Sequence, residues 1–200
     1  MLTQEKINSN FVQYVKRLEK YNCYSESLMN DLGEDIKNCS FSMNEDSGSA
    51  YQGSMVDIVL NVLCKIAYNI NEKAFENEPN LKVNMNMLMR VLLLQHIAKA
   101  QMFIPQRESW KLKKGFLYDF NDDLKAILKL GERTIFLCQK YGIKLNEEEY
   151  EALRYIDKTD DKTDYMVSPL CAIVKTANIM TAIECRKRYQ SKNKKETIEE

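Results

Sequence analysis

Apolar residues recur at helical spacing along most of this chain. Ile7, Phe11, Tyr14, Val15 and Leu18 fall on one face of a helix spanning about residues 4–20, with Thr3 placed to cap it. After Ser25, a shorter helix carries Leu28, Met29, Leu32 and Ile36. The segment NCSFSMNEDSGSAYQG, residues 38–53, is rich in Ser, Asn and Gly and reads as a loop. Beyond it, Met55, Val59, Val62, Leu63, Ile66 and Ile70 form a long stripe. Residues 85–100 are apolar on almost all sides, as a central helix requires, and the two helices are expected to pack together.

The pattern changes near Met102. Pro105, then alternation through Trp110, Leu112, Phe116, Leu117 and Tyr118 around Lys113-Lys114-Gly115, predicts a loop with a short β-hairpin that serves as a flap over the core. Helical spacing resumes over residues 122–141 and stops at Gly142. Asn146 followed by three glutamates is a capping-box start for a helix reaching about Ile156. Residues 157–167 are strongly charged and are expected to form a loop. Ser168-Pro169 then supplies a cap and a first-position proline for a last helix through Ile173, Val174, Ala177, Met180 and Ile183.

These elements predict an all-α bundle of about six or seven helices with at most a short β-hairpin. Residues 1–50 are expected to pack N-terminal helices and a loop on the core, 51–189 to form the main helical domain, and 190–200 to fray.

Composition narrows the function. With 44% hydrophobic and 29% charged residues, the chain has the makeup of an ordinary globular protein, and only 6 Gly and 3 Pro favour helices over a many-stranded sandwich. Lys plus Arg (29) balances Asp plus Glu (29), so no overall positive field draws nucleic acid. One histidine excludes a His-rich zinc or dinuclear site. Cys23, Cys39, Cys64, Cys138, Cys171 and Cys185 include no C-x-x-C pair and read as buried reduced thiols. The N-terminus is polar, and the longest apolar run, Met87 to Leu94, is interrupted by Arg90, so a cytoplasmic protein without a membrane span is expected.

Five short strings, in order, resemble the HD-domain superfamily of metal-dependent phosphohydrolases. They are Tyr51 through Val62 (YQGSMVDIVLNV), Leu93 through Lys99 (LLQHIAK), Trp110 through Tyr118, Leu130 through Thr134 (LGERT), and Ala177-Asn178-Ile179. The frame covers about Tyr51 to Tyr189. The resemblance implies a helical fold and, in active members, imidazole and carboxylate ligands around one or two divalent metals. Here Gln52 and Ile58 stand at first-helix histidine positions, Gln95-His96 at the His-Asp pair, Leu130 at or next to a further histidine, and Asn178 at the late aspartate. Amides match neither the charge nor the affinity of those ligands, so no tightly bound catalytic metal and no cofactor are expected.

The resemblance therefore implies a degenerate, catalytically inactive member that binds a phosphorylated small ligand or a protein partner in the old metal pocket. Candidate lining residues are Gln52, Asp57, Gln95, His96, Glu132, Asp157 and Asn178, with Lys99 and Arg133 near the rim as phosphate contacts. Each has a plainer reading. A lone histidine in an apolar run is commonly a core residue, Asp57 and Glu132 suit the first turn of a helix, and Gln95 points about 100° from His96 on an α-helix. Asn178 is harder to treat as packing, because a buried amide needs partners. Two alternatives stay open: an active hydrolase holding magnesium through Asp57 and Asp157, and a nucleic-acid accessory protein using the basic flap and tail.

Overall fold

Thr3 and Ser25 set the first two helices. The Thr3 hydroxyl accepts from the Lys6 amide at 3.3 Å and opens α1 (Gln4–Lys20); the Ser25 hydroxyl accepts from the Leu28 amide at 3.4 Å and opens α2 (Glu26–Asn38). The structure, a computed structural model, describes residues 2–156 and 167–199, so the charged loop expected over 157–167 lies almost wholly outside the described residues. Within them the fold is all-α apart from one two-stranded antiparallel sheet. None of these helices is long and apolar enough to cross a membrane.

The third helix, α3 (residues 54–74), is not uniformly wound. It is α-helical over Ser54–Ile58 and Cys64–Asn69 and π-helical over Val59–Leu63 and Ile70–Ala74. A π segment inserts about one extra residue into the helical phase and turns everything after it by roughly 100°. The predicted stripe moves accordingly. Met55, Val59, Val62 and Leu63 are buried as expected, but Ile66 and Ile70 are only partly buried, and the fully buried positions are Ala67 and Asn71. Asn71 earns its burial by bridging both backbone groups of Val83, accepting from its amide at 2.9 Å and donating to its carbonyl at 3.1 Å. That clamp fixes the approach to α4 (Met85–Leu94), which Asn84 caps.

The central apolar stretch does not form a single helix to Ala100. After Leu94 the winding tightens to i→i+3 hydrogen bonds, Ile97 amide to Leu94 carbonyl at 3.0 Å and Lys99 amide to His96 carbonyl at 3.0 Å, before a single turn, α5 (Lys99–Met102). Every residue from Val91 to Lys99 is buried. Because the whole segment is enclosed on every side, Gln95 and His96 both go inside although adjacent side chains diverge by about 100–120°.

The flap also differs from expectation. Its strands are β1 (Phe103–Pro105) and β2 (Tyr118–Phe120), paired Phe103 with Phe120 and Pro105 with Tyr118. Trp110 lies between them on a single turn, α6 (Ser109–Leu112). Lys111 holds the two sides together by reaching Asp119 at 2.6 Å, and Gln106 donates to the same carboxylate at 3.0 Å. Residues 122–129 are not helical; α7 (Leu130–Lys140) begins where the Glu132 carboxylate takes the Lys129 amide at 3.0 Å. The Asn146–Glu149 capping box opens α8 (Glu147–Tyr155). The last helix, α9 (Pro169–Glu199), starts at the proline and continues past Tyr189.

The core joins α1 and α2 to α3, α4, α7, α8 and α9 through Tyr14, Leu18, Leu28, Ile36, Leu63, Leu92, Leu137, Leu153 and Leu170. The buried Tyr14 hydroxyl donates to the Leu93 carbonyl at 2.6 Å. Arg90, read from sequence only as an interruption, is a staple. Its guanidinium meets Glu149 and the carbonyls of Tyr21, Asn22 and Lys144, tying the α1–α2 turn to the α7–α8 turn. All six cysteines are buried and unpaired.

Candidate ligand site around Gln95, His96 and Asn178

The tight turn between α4 and α5 presents three polar side chains to the interior. Gln95 is fully buried, and its Oε1 accepts from Asn178 Nδ2 of α9 at 2.8 Å. The Gln95 carbonyl accepts from the Thr134 hydroxyl of α7 at 3.3 Å. His96, 4% exposed, meets the edge of the Phe41 ring at 4.7 Å between centroids. Lys99 donates to the Phe41 carbonyl at 2.5 Å and stands 4.0 Å from the centre of the same ring.

Phe41 reaches this place through a hydroxyl network. Its amide donates to Ser54 Oγ at 2.8 Å, and that hydroxyl donates onward to the Ser49 carbonyl at 2.6 Å. Ser40 donates to the Ser42 carbonyl at 2.7 Å, and Ser47 to that of Asn44 at 2.6 Å. The composition that reads as a loop is thus a serine-braced cover. Gly48 lets it sit down: at φ 69°, a methyl there would lie 2.7 Å from Tyr189 Cβ of α9.

The cluster leaves several buried polar atoms without a partner among the described residues, Gln95 Nε2, both ring nitrogens of His96 and Asn178 Oδ1, and Thr181 Oγ, three residues on from Asn178, is also buried and unpartnered. Each such atom costs about 1–3 kcal/mol unless something satisfies it. Together they offer donors and acceptors in one place. Burial, then the Lys99 charge, hold the His96 imidazole well below its ordinary pKa, and Asn178 opposes the shift from nearby without making a well-formed hydrogen bond to the ring. His96 is therefore a neutral imidazole with one donor and one acceptor.

The other predicted residues are distributed differently. Arg133 is buried rather than at a rim; it donates to the Ala126 carbonyl, and its Nε has no partner among the described residues. It precedes Thr134, which touches the cluster. Glu132 is exposed and caps α7. Gln52 is also exposed and donates to Asn38 at 2.9 Å. Asp57 sits in a network of its own, accepting from Asn10 at 3.0 Å, Tyr51 at 2.9 Å and Asn61 at 2.8 Å. Asp157 lies outside the described residues. Sequence reasoning missed Thr181, although its i+3 spacing from Asn178 on an inward face was a usable signal. It also missed Phe41, for which the loop composition carried none.

A metal centre does not fit these residues. The donor set is one imidazole with neutral amides, and no group of three or more His, Cys, Asp or Glu among the described residues could hold an ion. No family model matches this chain, and neither a curated protein nor a solved structure matches it.

Proposed function

We propose that this chain is an HD-like helical domain that binds a small phosphorylated ligand without hydrolysing it. The observation that carries the reading is the 2.8 Å hydrogen bond from Asn178 to Gln95, 83 positions apart. These are two of the positions where the resemblance expects metal ligands, and a shared metal would require them to meet. An amide pair supplies hydrogen bonds and no charge, which favours binding over metal-assisted hydrolysis. The unpartnered atoms are buried. A small molecule reaches such atoms where a protein surface does not. Lys99 brings a positive charge beside His96, and Arg133 adds a guanidinium next to Thr134. The three donors already on Asp57 speak against a magnesium site there. The six buried thiols suit a reducing compartment, and the cytoplasm is the proposed location.

A thermal-shift screen over phosphorylated small molecules, with and without Mg²⁺ and Mn²⁺, tests the reading. At 100 times its Kd a ligand stabilises by about 2.7 kcal/mol, an easily measured rise in Tm. The expected result is at least one compound that raises the Tm of the natural chain and not of Asn178→Leu. Metal-stimulated phosphatase activity that disappears in His96→Ala, or a screen with no stabilising compound, would overturn it.

A further inference from the structure

A separate cleft of about 380 Å³ opens between α1, α3 and α4. Its volume lies within the roughly 300–1,000 Å³ that small-molecule sites occupy. Cys64 and Met89, both buried, form the floor; Arg17, Lys65, Tyr68 and Asn69 form the walls. None of these belongs to the cluster around Gln95. Lys65, Tyr68 and Asn69 share a face at i, i+3 and i+4 in the α-wound stretch Cys64–Asn69. A π segment flanks that stretch on each side, an irregularity that recurs at functional sites.

The charge of the cleft is one-sided. No carboxylate lines it, and among the described residues neither Arg17 nor Lys65 forms an ion pair. Other partly buried cations do find carboxylates: Arg90 has Glu149, and Lys111 has Asp119. Arg17 is half-buried and lies against the Cys64 thiol, whose pKa burial nevertheless pushes up to about 11. Two uncompensated cations in a concave site attract an anion. A guanidinium beside an ammonium suits a phosphate group, one as a fork and one as a point charge. Tyr68, 47% exposed, offers a ring at the mouth, and Met89 offers a polarisable apolar surface below.

We propose that this cleft binds an aromatic phosphate ester of about the size of a nucleoside monophosphate, with the phosphate on Arg17 and Lys65 and the ring against Tyr68 and Met89. Isothermal titration of the full chain with AMP, phenyl phosphate and inorganic phosphate tests it. AMP and phenyl phosphate should bind about tenfold or more tightly than inorganic phosphate, since stacking adds to the charge contacts. Lys65→Gln, on an exposed side chain, and Arg17→Gln should each weaken AMP binding about tenfold, the loss expected for a charge-assisted hydrogen bond. Tyr68→Ala should reduce the preference over inorganic phosphate. The proposal is overturned if neither aromatic phosphate binds, or if Lys65→Gln and Arg17→Gln bind AMP as the natural chain does. It is equally overturned if Asn178→Leu, and not Lys65→Gln, abolishes binding, because the ligand would then belong to the Gln95 cluster.

Discussion

Arg90 and Glu149 form a two-point ion pair, Nε to Oε1 at 2.5 Å and Nη2 to Oε2 at 3.4 Å, with the glutamate side chain only 3% exposed. The remaining guanidinium hydrogens serve three backbone carbonyls. Arg90→Met should cost about 3–5 kcal/mol in urea unfolding, because it leaves a buried carboxylate and stranded carbonyls. Glu149→Gln, which keeps a hydrogen-bonding group in place, should cost distinctly less. Equal losses for the two would show that the arginine is not the staple described.

Gln95 and Asn178 satisfy one another in part, so their substitutions should not add. Asn178→Leu strands the Gln95 amide and should destabilise by about 1–3 kcal/mol. The double change Gln95→Leu with Asn178→Leu removes the orphaned amide atoms together and should be more stable than either single variant. A double-mutant cycle with additive losses would count against a shared polar site.

His96 gives the fold a dependence on acid. The folded chain excludes a proton that the unfolded chain binds below about pH 6.5, so the unfolded state gains protons first as the pH falls. Stability is greatest above that pH and declines below it, at up to about 1.4 kcal/mol per pH unit, until the folded imidazole also titrates. His96→Gln should flatten this part of the profile relative to the natural chain. Parallel profiles would place the imidazole in contact with water.

The thiols should be slow to react. Burial pushes Cys23, Cys39 and Cys138 up to about 12 and Cys171 up to about 11, and none of the six is paired. Since the thiolate is the reactive form, DTNB at pH 8 should label few of them until denaturant is added. Rapid labelling of all six in the native protein would contradict their burial.

Two glycines with the same backbone sign should respond differently. Gly48 and Gly142 have φ of 69° and 72°, but a methyl at 48 meets α9 while one at 142 meets nothing within 4 Å. Gly142→Ala should cost only the left-handed strain, about 1 kcal/mol. Gly48→Ala should cost about 1–3 kcal/mol more, since the cover must lift from α9. Chemical denaturation of both variants measures the difference.

Much of the helical framework was legible because its signals are local. Thr3, Ser25, Asn146 and Ser168-Pro169 mark helix starts by side-chain chemistry within a few residues. What escaped depends on distant partners. Nothing near residue 59 announces the π winding that exchanges Ile66 for Ala67 in the core, and the contacts of Gln95 with Asn178 and of His96 with Phe41 span far-apart stretches of chain. Trp110 alternates like a strand residue, yet its segment makes a helical turn from which Lys111 reaches Asp119. Of the candidate site, Gln95, His96, Lys99 and Asn178 were nameable from the resemblance. Gln52, Asp57 and Glu132 have nearer partners of their own, and adjacency along a motif carries no information about those.

The seat of Gly48 against Cys185 and Tyr189 has a consequence in time. A chain made at about 5–20 residues per second needs roughly 7–27 s to travel from position 48 to position 185. Throughout that interval the serine-braced cover has no helix to rest on, and Gln95 has no Asn178. The polar cluster and its cover are therefore completed by the same late arrival, α9, so a nascent chain stalled before it would lack both the α9 side of its core and a finished site.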